Sequence, residues 1–164
     1  MKFVWRGILF KLADGTTLAD AHRIPNSTDS QNPYHFLLVG AGHDLRGATH
    51  YLATRIRGLR YALQCLIDYK GFRMTAQAVL PVNKDSLRYG SSNGGKTVHN
   101  EDESLAKKLK AAAKKLNLRT HRIIMVVDVQ DMYSACDIEG HVGEGGSHYL
   151  LDFARTFPPE SPKK

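Results

Sequence analysis

Charged side chains crowd one short stretch near the C-terminal end of the sequence. Asp137, Glu139 and His141 come before a Gly-rich turn, and Asp152 and Arg155 come after the apolar run that follows the turn. A carboxylate beside a core strand costs several kcal/mol unless it is paired, so Asp152 requires a partner. Two interpretations stay open, namely a structural ion pair or cap, for which Arg155 is a candidate, and a ligand or metal site.

Four acidic and basic residues also follow the order that a kinase-like phosphotransferase uses to hold ATP and Mg²⁺. They are a strand lysine, an acid on the next helix, an Asp after a later helix and an Asp-Phe pair after a hairpin: Lys11, Asp44, Asp137 and Asp152. No Gly-rich loop precedes the lysine and no His-Arg-Asp triplet occurs. Phosphotransfer or nucleotide binding, with ATP and Mg²⁺ as cofactors, is therefore the alternative function. Convergence of these residues in space would allow a nucleotide with Mg²⁺ to bind, whereas an accidental order predicts that they are scattered or blocked. Because nothing Gly-rich precedes Lys11 to cover the phosphates, we expect no nucleotide binding.

The longest run of like charge lies in a predicted helix near the middle of the chain. Between Ser104 and Val127 there are seven bases and no acids: Lys107, Lys108, Lys110, Lys114, Lys115, Arg119 and Arg122. At 100° per residue, three of the lysines form one row opposite a leucine stripe. Such a row attracts the phosphates of RNA, although no aromatic residue lies between the lysines to stack on bases. A solvated helix face has the same pattern.

Histidine and cysteine spacing predicts no metal centre. None of the eight histidines forms an HExxH motif, and the two cysteines provide no zinc or disulfide framework. His43 and His141 each follow a glycine, and we expect hydrogen-bonded structural roles, with membership of one pocket as the alternative. Cys65 lies in an apolar run and is predicted to be a core residue.

The elements that must position these residues are two helices and several strands. Apolar residues spaced at i, i+4, i+7 and i+11 predict a helix over 41–52, and Asn100 with Glu103 predicts a capping box for a second helix that ends near Asn117. Two apolar runs around Tyr69-Lys70-Gly71 predict a hairpin. The turn Ser91–Lys96 is expected to connect two strands, with an anion-binding nest of backbone amides as the alternative.

Other segments complete the predicted organisation. Residues 4–13 predict one strand, 20–33 a surface loop, and Ile123–Val129 a buried strand. No apolar run approaches the ~20 residues of a membrane span. A chain of 164 residues with 42% apolar and 24% charged residues fits one globular domain. The fold class expected is α+β, with a mixed or antiparallel sheet and two main helices.

Four segments taken together resemble one known family. They are Gly40–Leu52, Ala62–Pro81, Arg88–His99 and Asp137–Glu160, and their most specific pieces are IDYKGFR, YGSSNGGKTV and YLLDFAR. In this order they resemble the Clu domain of the "clustered mitochondria" proteins, in a divergent protist-type copy. One departure is the sequence Gly-Gly-Ser-His at 145–148, where relatives usually have an Asp-Gly-Arg turn.

The resemblance implies a cytoplasmic module, associated in full-length members with messenger RNA, ribosomes and mitochondrial distribution. It supplies no catalytic residues. We therefore expect a Clu-like domain over 1–160 with a tail at 161–164, acting as a non-enzymatic interaction module without cofactors. RNA, a ribonucleoprotein or a protein partner would bind it. The sequence does not specify the oligomeric state.

Overall fold

The computed structural model describes residues 1–13, 33–124 and 129–157 and has the expected α+β fold. Its two main helices are α1 (Pro33–Ala53) and α2 (Glu103–Leu116). The predicted loop over 20–33, apart from Pro33, and the predicted tail lie outside the described residues. Neither α1 nor α2 has the combination of length and apolar character that crossing a membrane requires.

The first sheet is built by the N-terminal part of the chain and is antiparallel throughout. Its strands, in spatial order, are β1 (Lys2–Trp5), β2 (Ile8–Leu12), β5 (Phe72–Ala78) and β4 (Gln64–Tyr69). The single strand predicted over 4–13 is wrong, because Arg6 and Gly7 turn the chain with φ values of 48° and 78°. The hairpin predicted at Tyr69-Lys70-Gly71 is confirmed, with Tyr69 opposite Phe72.

The two faces of the first sheet differ in chemistry, because alternate residues of a strand point to opposite sides. Phe3 pairs with Phe10 in the register, and their rings stack with centroids 4.9 Å apart. The face that carries these two rings is called the outer face. Trp5 lies two residues from Phe3 on the same face and is 59% exposed. Lys11 pairs with Thr75 on the opposite, inner face, which looks toward α1.

The second sheet is mixed and lies in the C-terminal part of the chain. Its strands, in spatial order, are β3 (Leu59–Tyr61), β11 (His148–Leu151), β10 (Glu139–Val142), β6 (Leu87–Gly90) and β7 (His99–Asn100). Only β3 and β11 run parallel; the other neighbours are antiparallel. Gly90 adopts a φ of 81°, and a Cβ there would lie 1.7 Å from the Ile138 carbonyl oxygen, so only glycine fits this contact.

The core lies between α1, α2 and the second sheet. Its largest fully buried side chains are Tyr51, Tyr89, Leu105, Leu109, Met132, Ile138 and Leu150. The leucine stripe of α2 is therefore buried as its spacing predicted. The predicted cap at Asn100 is wrong, because Asp102 accepts the Leu105 amide hydrogen at 2.6 Å; Asn117 ends the helix in the left-handed conformation as expected.

Two expectations of burial are also wrong. The described residues of the strand predicted over 123–129 belong to two paired antiparallel strands, β8 (His121–Ile124) and β9 (Val129–Met132), and Ile124 is 80% exposed. Cys65 is exposed because it lies opposite Ala76 on the outer face of the first sheet. Apolar composition gave no information about which face another element would cover.

Candidate functional site

A cavity of about 650 Å³ lies where the inner face of the first sheet, α1 and the end of the second sheet meet. Charged residues from all of these parts line it: Lys11, His43, Asp44, Asp137, Glu139, Asp152 and Arg155. The four residues with the kinase-like order are therefore neither scattered nor separated, although up to 141 positions divide them in sequence. Sequence reasoning missed Thr75, which lines the cavity beside Lys11 and could be placed only once the strand register was known.

Lys11 and Asp152 form an ion pair inside the cavity, with Lys11 Nζ 3.6 Å from Asp152 Oδ1. Asp152 thus pairs with a lysine from another motif, whereas Arg155 was the first candidate. Burial raises the pKa of the Asp152 carboxyl, and the nearby carboxylates of Glu139 and Asp44 raise it further, while Lys11 lowers it. The ionised form of Asp152 is consequently less stable here than in water.

The turn that carries Asp152 is held against α1. Asp152 has a φ of 57°, and the next residue, Phe153, is 3% exposed and packs 5.3 Å from the ring of Tyr51. The Phe153 amide donates to Asp44 Oδ1 at 2.7 Å. A Cβ on Gly47 would lie 2.4 Å from the Phe153 carbonyl oxygen, so this glycine permits the close approach.

Asp137 is a second carboxylate with a specific arrangement. Arg155 Nη1 donates to its Oδ2 oxygen, and none of the described groups donates to its Oδ1 oxygen, which is buried. An unsatisfied buried oxygen is unusual and is compatible with a bound cation or donor. Among the described residues, however, no three His, Cys, Asp or Glu side chains are arranged to hold a metal ion.

The two histidines of the candidate pocket have different positions. His43 lines the cavity. His141 is 4% exposed and lies behind the lining, with Nδ1 3.0 Å from Ser86 Oγ and Nε2 3.3 Å from Glu139 Oε2. His141 therefore has the structural, hydrogen-bonded environment expected of it, and it orients the Glu139 carboxylate.

The turn over 91–96 connects β6 and β7 and also borders the cavity. Two of its amides, those of Asn93 and Gly95, are bonded within the turn. The Ser91 hydroxyl accepts the Asn93 and Gly95 amide hydrogens at 3.3 and 2.9 Å, and Asn93 Oδ1 accepts the Thr97 amide hydrogen at 2.9 Å. The connecting-turn interpretation is the one the geometry supports, and the amides of Asn93 and Gly95 do not form an open anion nest.

The seven bases between 104 and 127 divide into two groups. Lys108 and Lys115 are used inside the fold: Lys108 Nζ lies 2.5 Å from His148 Nδ1, and Lys115 Nζ donates to the Thr54 carbonyl at 2.7 Å. Lys108 is half-buried, whereas Lys115 remains exposed despite its contact. The remaining five are also exposed: Lys107, Lys110, Lys114, Arg119 and Arg122. Of these, Lys107 pairs with Glu103 at 2.7 Å and Arg122 with Asp131 at 3.4 Å.

Tyr133 adds an aromatic ring to this surface that the sequence did not indicate. Lys110 Nζ lies 5.5 Å from the centre of the Tyr133 ring. The backbone amide of Tyr133 donates to the buried Tyr89 hydroxyl at 2.8 Å, which holds the residue in place. Because 23 positions separate Lys110 from Tyr133, periodicity along the helix could not reveal the contact.

Comparisons with a family model and with individual proteins point to the same family. The family model described as "Clustered mitochondria" matches residues 1–162. The "Protein clueless" of Drosophila virilis is 33% identical over 96% of this chain and 11% of its own length. The "Clustered mitochondria protein homolog" of Danio rerio is 30% identical over the same shares. The chain thus spans about a tenth of these relatives. No solved structure matches it significantly.

Proposed function

Because the chain belongs to the Clustered mitochondria family, we propose that it is a non-enzymatic interaction module that binds RNA through an exposed basic face of α2. The whole proteins of this family are about ten times longer, so any activity of theirs reaches this chain only as part of the proposal. The resemblance to modules associated with messenger RNA and ribosomes supports RNA as the partner. We place the module in the cytoplasm as part of the same proposal.

One observation carries the proposal: Lys107, Lys110 and Lys114 lie in one exposed row on the side of α2 opposite its buried leucines. Ammonium groups arranged in this way can replace the counterions of successive phosphates. Arg119, just beyond the helix, is exposed as well and extends the basic surface. We define the basic row as Lys107, Lys110 and Lys114.

The contacts of the basic row leave it available to phosphate. The pair between Lys107 and Glu103 joins side chains that are 71% and 83% exposed, and solvent screening leaves such a surface pair weak. Lys110 Nζ lies over the ring of Tyr133, which is half-buried against the core and helps to fix the position of this ammonium group. Recognition of this kind depends on the phosphate backbone and is weakly selective for sequence.

The test is fluorescence anisotropy with a labelled, unstructured single-stranded RNA at several salt concentrations. Replacing the basic row by Gln should weaken binding and reduce the slope of log affinity against log salt by about two units, because each phosphate contact to a single strand contributes about 0.7. The matched control replaces Lys70, Lys84 and Lys96, which are exposed elsewhere, by Gln. It removes the same formal charge.

Two outcomes would contradict the proposal. Equal losses in the two triple variants would mean that only the net charge matters. The second outcome is that the chain binds no RNA but forms a protein complex in a cell extract, and that salt does not dissociate the complex. This outcome would identify a protein as the partner instead. Circular dichroism of each variant at the assay temperature verifies that the chain remains folded.

A further inference from the structure

We propose that the cavity binds a nucleoside polyphosphate together with Mg²⁺. This binding site is separate from the basic row, and it implies binding without group transfer. The inference concerns the shared position of Lys11, Asp137 and Asp152 and does not depend on RNA recognition.

The cavity has the size and mixed lining of a small-molecule site. Its volume of about 650 Å³ falls within the range of about 300–1,000 Å³ typical of ligand pockets and is larger than a hydrated cation needs. Leu12, Ala41 and Ala154 contribute apolar wall, against which a flat base can pack. The charged groups provide a polar region for phosphates.

Lys11 is the group suited to a phosphate. Its Nζ is 3.6 Å from Asp152 Oδ1, which is longer than a charge-assisted hydrogen bond of about 2.7–2.9 Å. The ammonium can therefore turn toward a phosphate oxygen at little cost. Lys11 is held by β2, whose pairing with β5 on one side and β1 on the other fixes the position of its backbone.

The cavity lining also requires a cation to accompany the phosphates. It contains four acidic side chains and two basic ones, and one of the bases, Arg155, is already bound to Asp137. A bare polyphosphate would be repelled. Mg²⁺ removes the repulsion, since it is commonly held by one or two carboxylates together with phosphates and water.

Asp152 is the carboxylate best placed for such a cation, because its side chain is 48% exposed and its pair with Lys11 is loose. Asp137 also lines the cavity, but Arg155 binds one of its oxygens and the other is buried. The described residues offer no metal cluster of three side chains, so the phosphates and water would supply most of the Mg²⁺ ligands. Mg²⁺ would thus bind as part of the nucleotide complex, and weakly without it.

The order of the residues along the chain is an independent argument. In protein kinases a strand lysine contacts the phosphates and pairs with a helix acid, a later Asp acts on the substrate hydroxyl, and the Asp of an Asp-Phe pair holds Mg²⁺. The order is shared here, but the contacts differ: Lys11 pairs with Asp152, and the helix acid Asp44 accepts the Phe153 amide hydrogen. Because no Gly-rich loop precedes Lys11 to cover the phosphates, the site is assigned to binding alone.

The experiment is isothermal titration of the full chain with ATP in excess Mg²⁺. We expect saturable binding that EDTA abolishes, and losses of about tenfold or more for Asp152→Asn and for Lys11→Met, the equivalent of one charge-assisted hydrogen bond. The matched controls are Asp85→Asn and Lys84→Met, at adjacent exposed positions outside the cavity lining. Both controls should bind like the unmodified chain. Replacement of the basic row by Gln should also leave this binding intact, which separates the two proposals.

A second titration with Mg²⁺ and inorganic pyrophosphate tests the nucleoside. Binding weaker than that of ATP by about tenfold would support a contact between the base and the apolar wall. Equal affinity for the two ligands would overturn the assignment to a nucleoside. The proposal fails altogether if ATP with Mg²⁺ releases no heat, or if the cavity variants and the controls bind equally while circular dichroism shows all of them folded.

Discussion

The basic helix and the cavity use charge in opposite ways. Along α2 the lysines are neighbours in sequence, yet Lys108 and Lys115 hold the fold together, and Lys107 shares its charge with Glu103. In the cavity, Lys11 and Asp152 come from opposite ends of the chain and meet in a recess that other carboxylates also line. A dense run of charge in sequence is therefore a poor measure of the charge available to a ligand, whereas charges distant in sequence can converge in one recess.

The largest expected effect concerns the packing that creates the cavity. Gly47→Ala should destabilise the fold by about 2–3 kcal/mol, because its methyl group would overlap the Phe153 carbonyl and push the Asp152 turn away from α1. Urea unfolding followed by circular dichroism measures the change.

Gly42→Ala is the matched control on the same helix. Nothing lies within 4 Å of a Cβ at Gly42, so alanine should stabilise by up to about 1 kcal/mol. Equal effects of the two alanines would show that the turn is not pressed against α1, and the cavity would then lack its structural support.

An intermediate effect separates the lysines that hold the fold from those that do not. Lys108→Met should cost about 1–2 kcal/mol by removing the hydrogen bond to the buried His148, whereas Lys114→Met should change stability by less than about 0.5 kcal/mol. Thermal unfolding of the two variants in the same buffer makes the comparison. If both lysines proved neutral, the division of α2 into two groups would be wrong.

The same contact predicts a pH dependence. Burial lowers the pKa of His148, Lys108 lowers it further and Asp102 opposes them. As the pH is lowered, His148 in the unfolded chain takes up a proton at about pH 6.5, whereas His148 in the folded chain takes it up only at a lower pH. The free energy of unfolding is therefore highest above about pH 6.5 and falls as the pH decreases. Lys108→Met should make stability less dependent on pH in this range. The free energy of unfolding that the substitution removes should therefore be smaller at pH 5.5 than at pH 8.

The smallest expected effect is a gain in stability. Because the pKa of Asp152 is raised, the unfolded chain releases the proton at a lower pH than the folded chain, and ionised Asp152 destabilises the fold at neutral pH. Asp152→Asn should slightly raise the melting temperature at pH 7, and asparagine also tolerates the left-handed backbone at this position.

The gain should shrink as the pH is lowered toward about 3.9, the ordinary value for aspartate. Asp85→Asn, at an exposed position, should show no such gain. The Asp152 side chain is 48% exposed, so its charge is only partly desolvated. A lower melting temperature for Asp152→Asn would mean that the pair with Lys11 stabilises more than this partial desolvation costs, and that Asp152 is a structural residue.

Local features of this fold were predictable and the site was predictable only in part. The hairpin at Tyr69-Lys70-Gly71 and the left-handed cap at Asn117 depend on residues within a few positions, so spacing sufficed. Asn100 and Asp102 are both able to cap a helix. Asn100 belongs to β7, so Asp102 caps α2, and the sequence does not show where β7 ends. The pair of Lys11 with Asp152 depends on two sheets and α1 coming together, which no local pattern encodes.

The outer face of the first sheet has a consequence for spectroscopy. Trp5 is the only tryptophan in the chain, and it is 59% exposed on that face, far from the residues that form the core. Its emission in the folded chain should already be shifted to the red, so denaturation will change it little. The fluorophore will respond instead to anything that covers the sheet, which makes this chain a ready-made reporter of contact there without any added label.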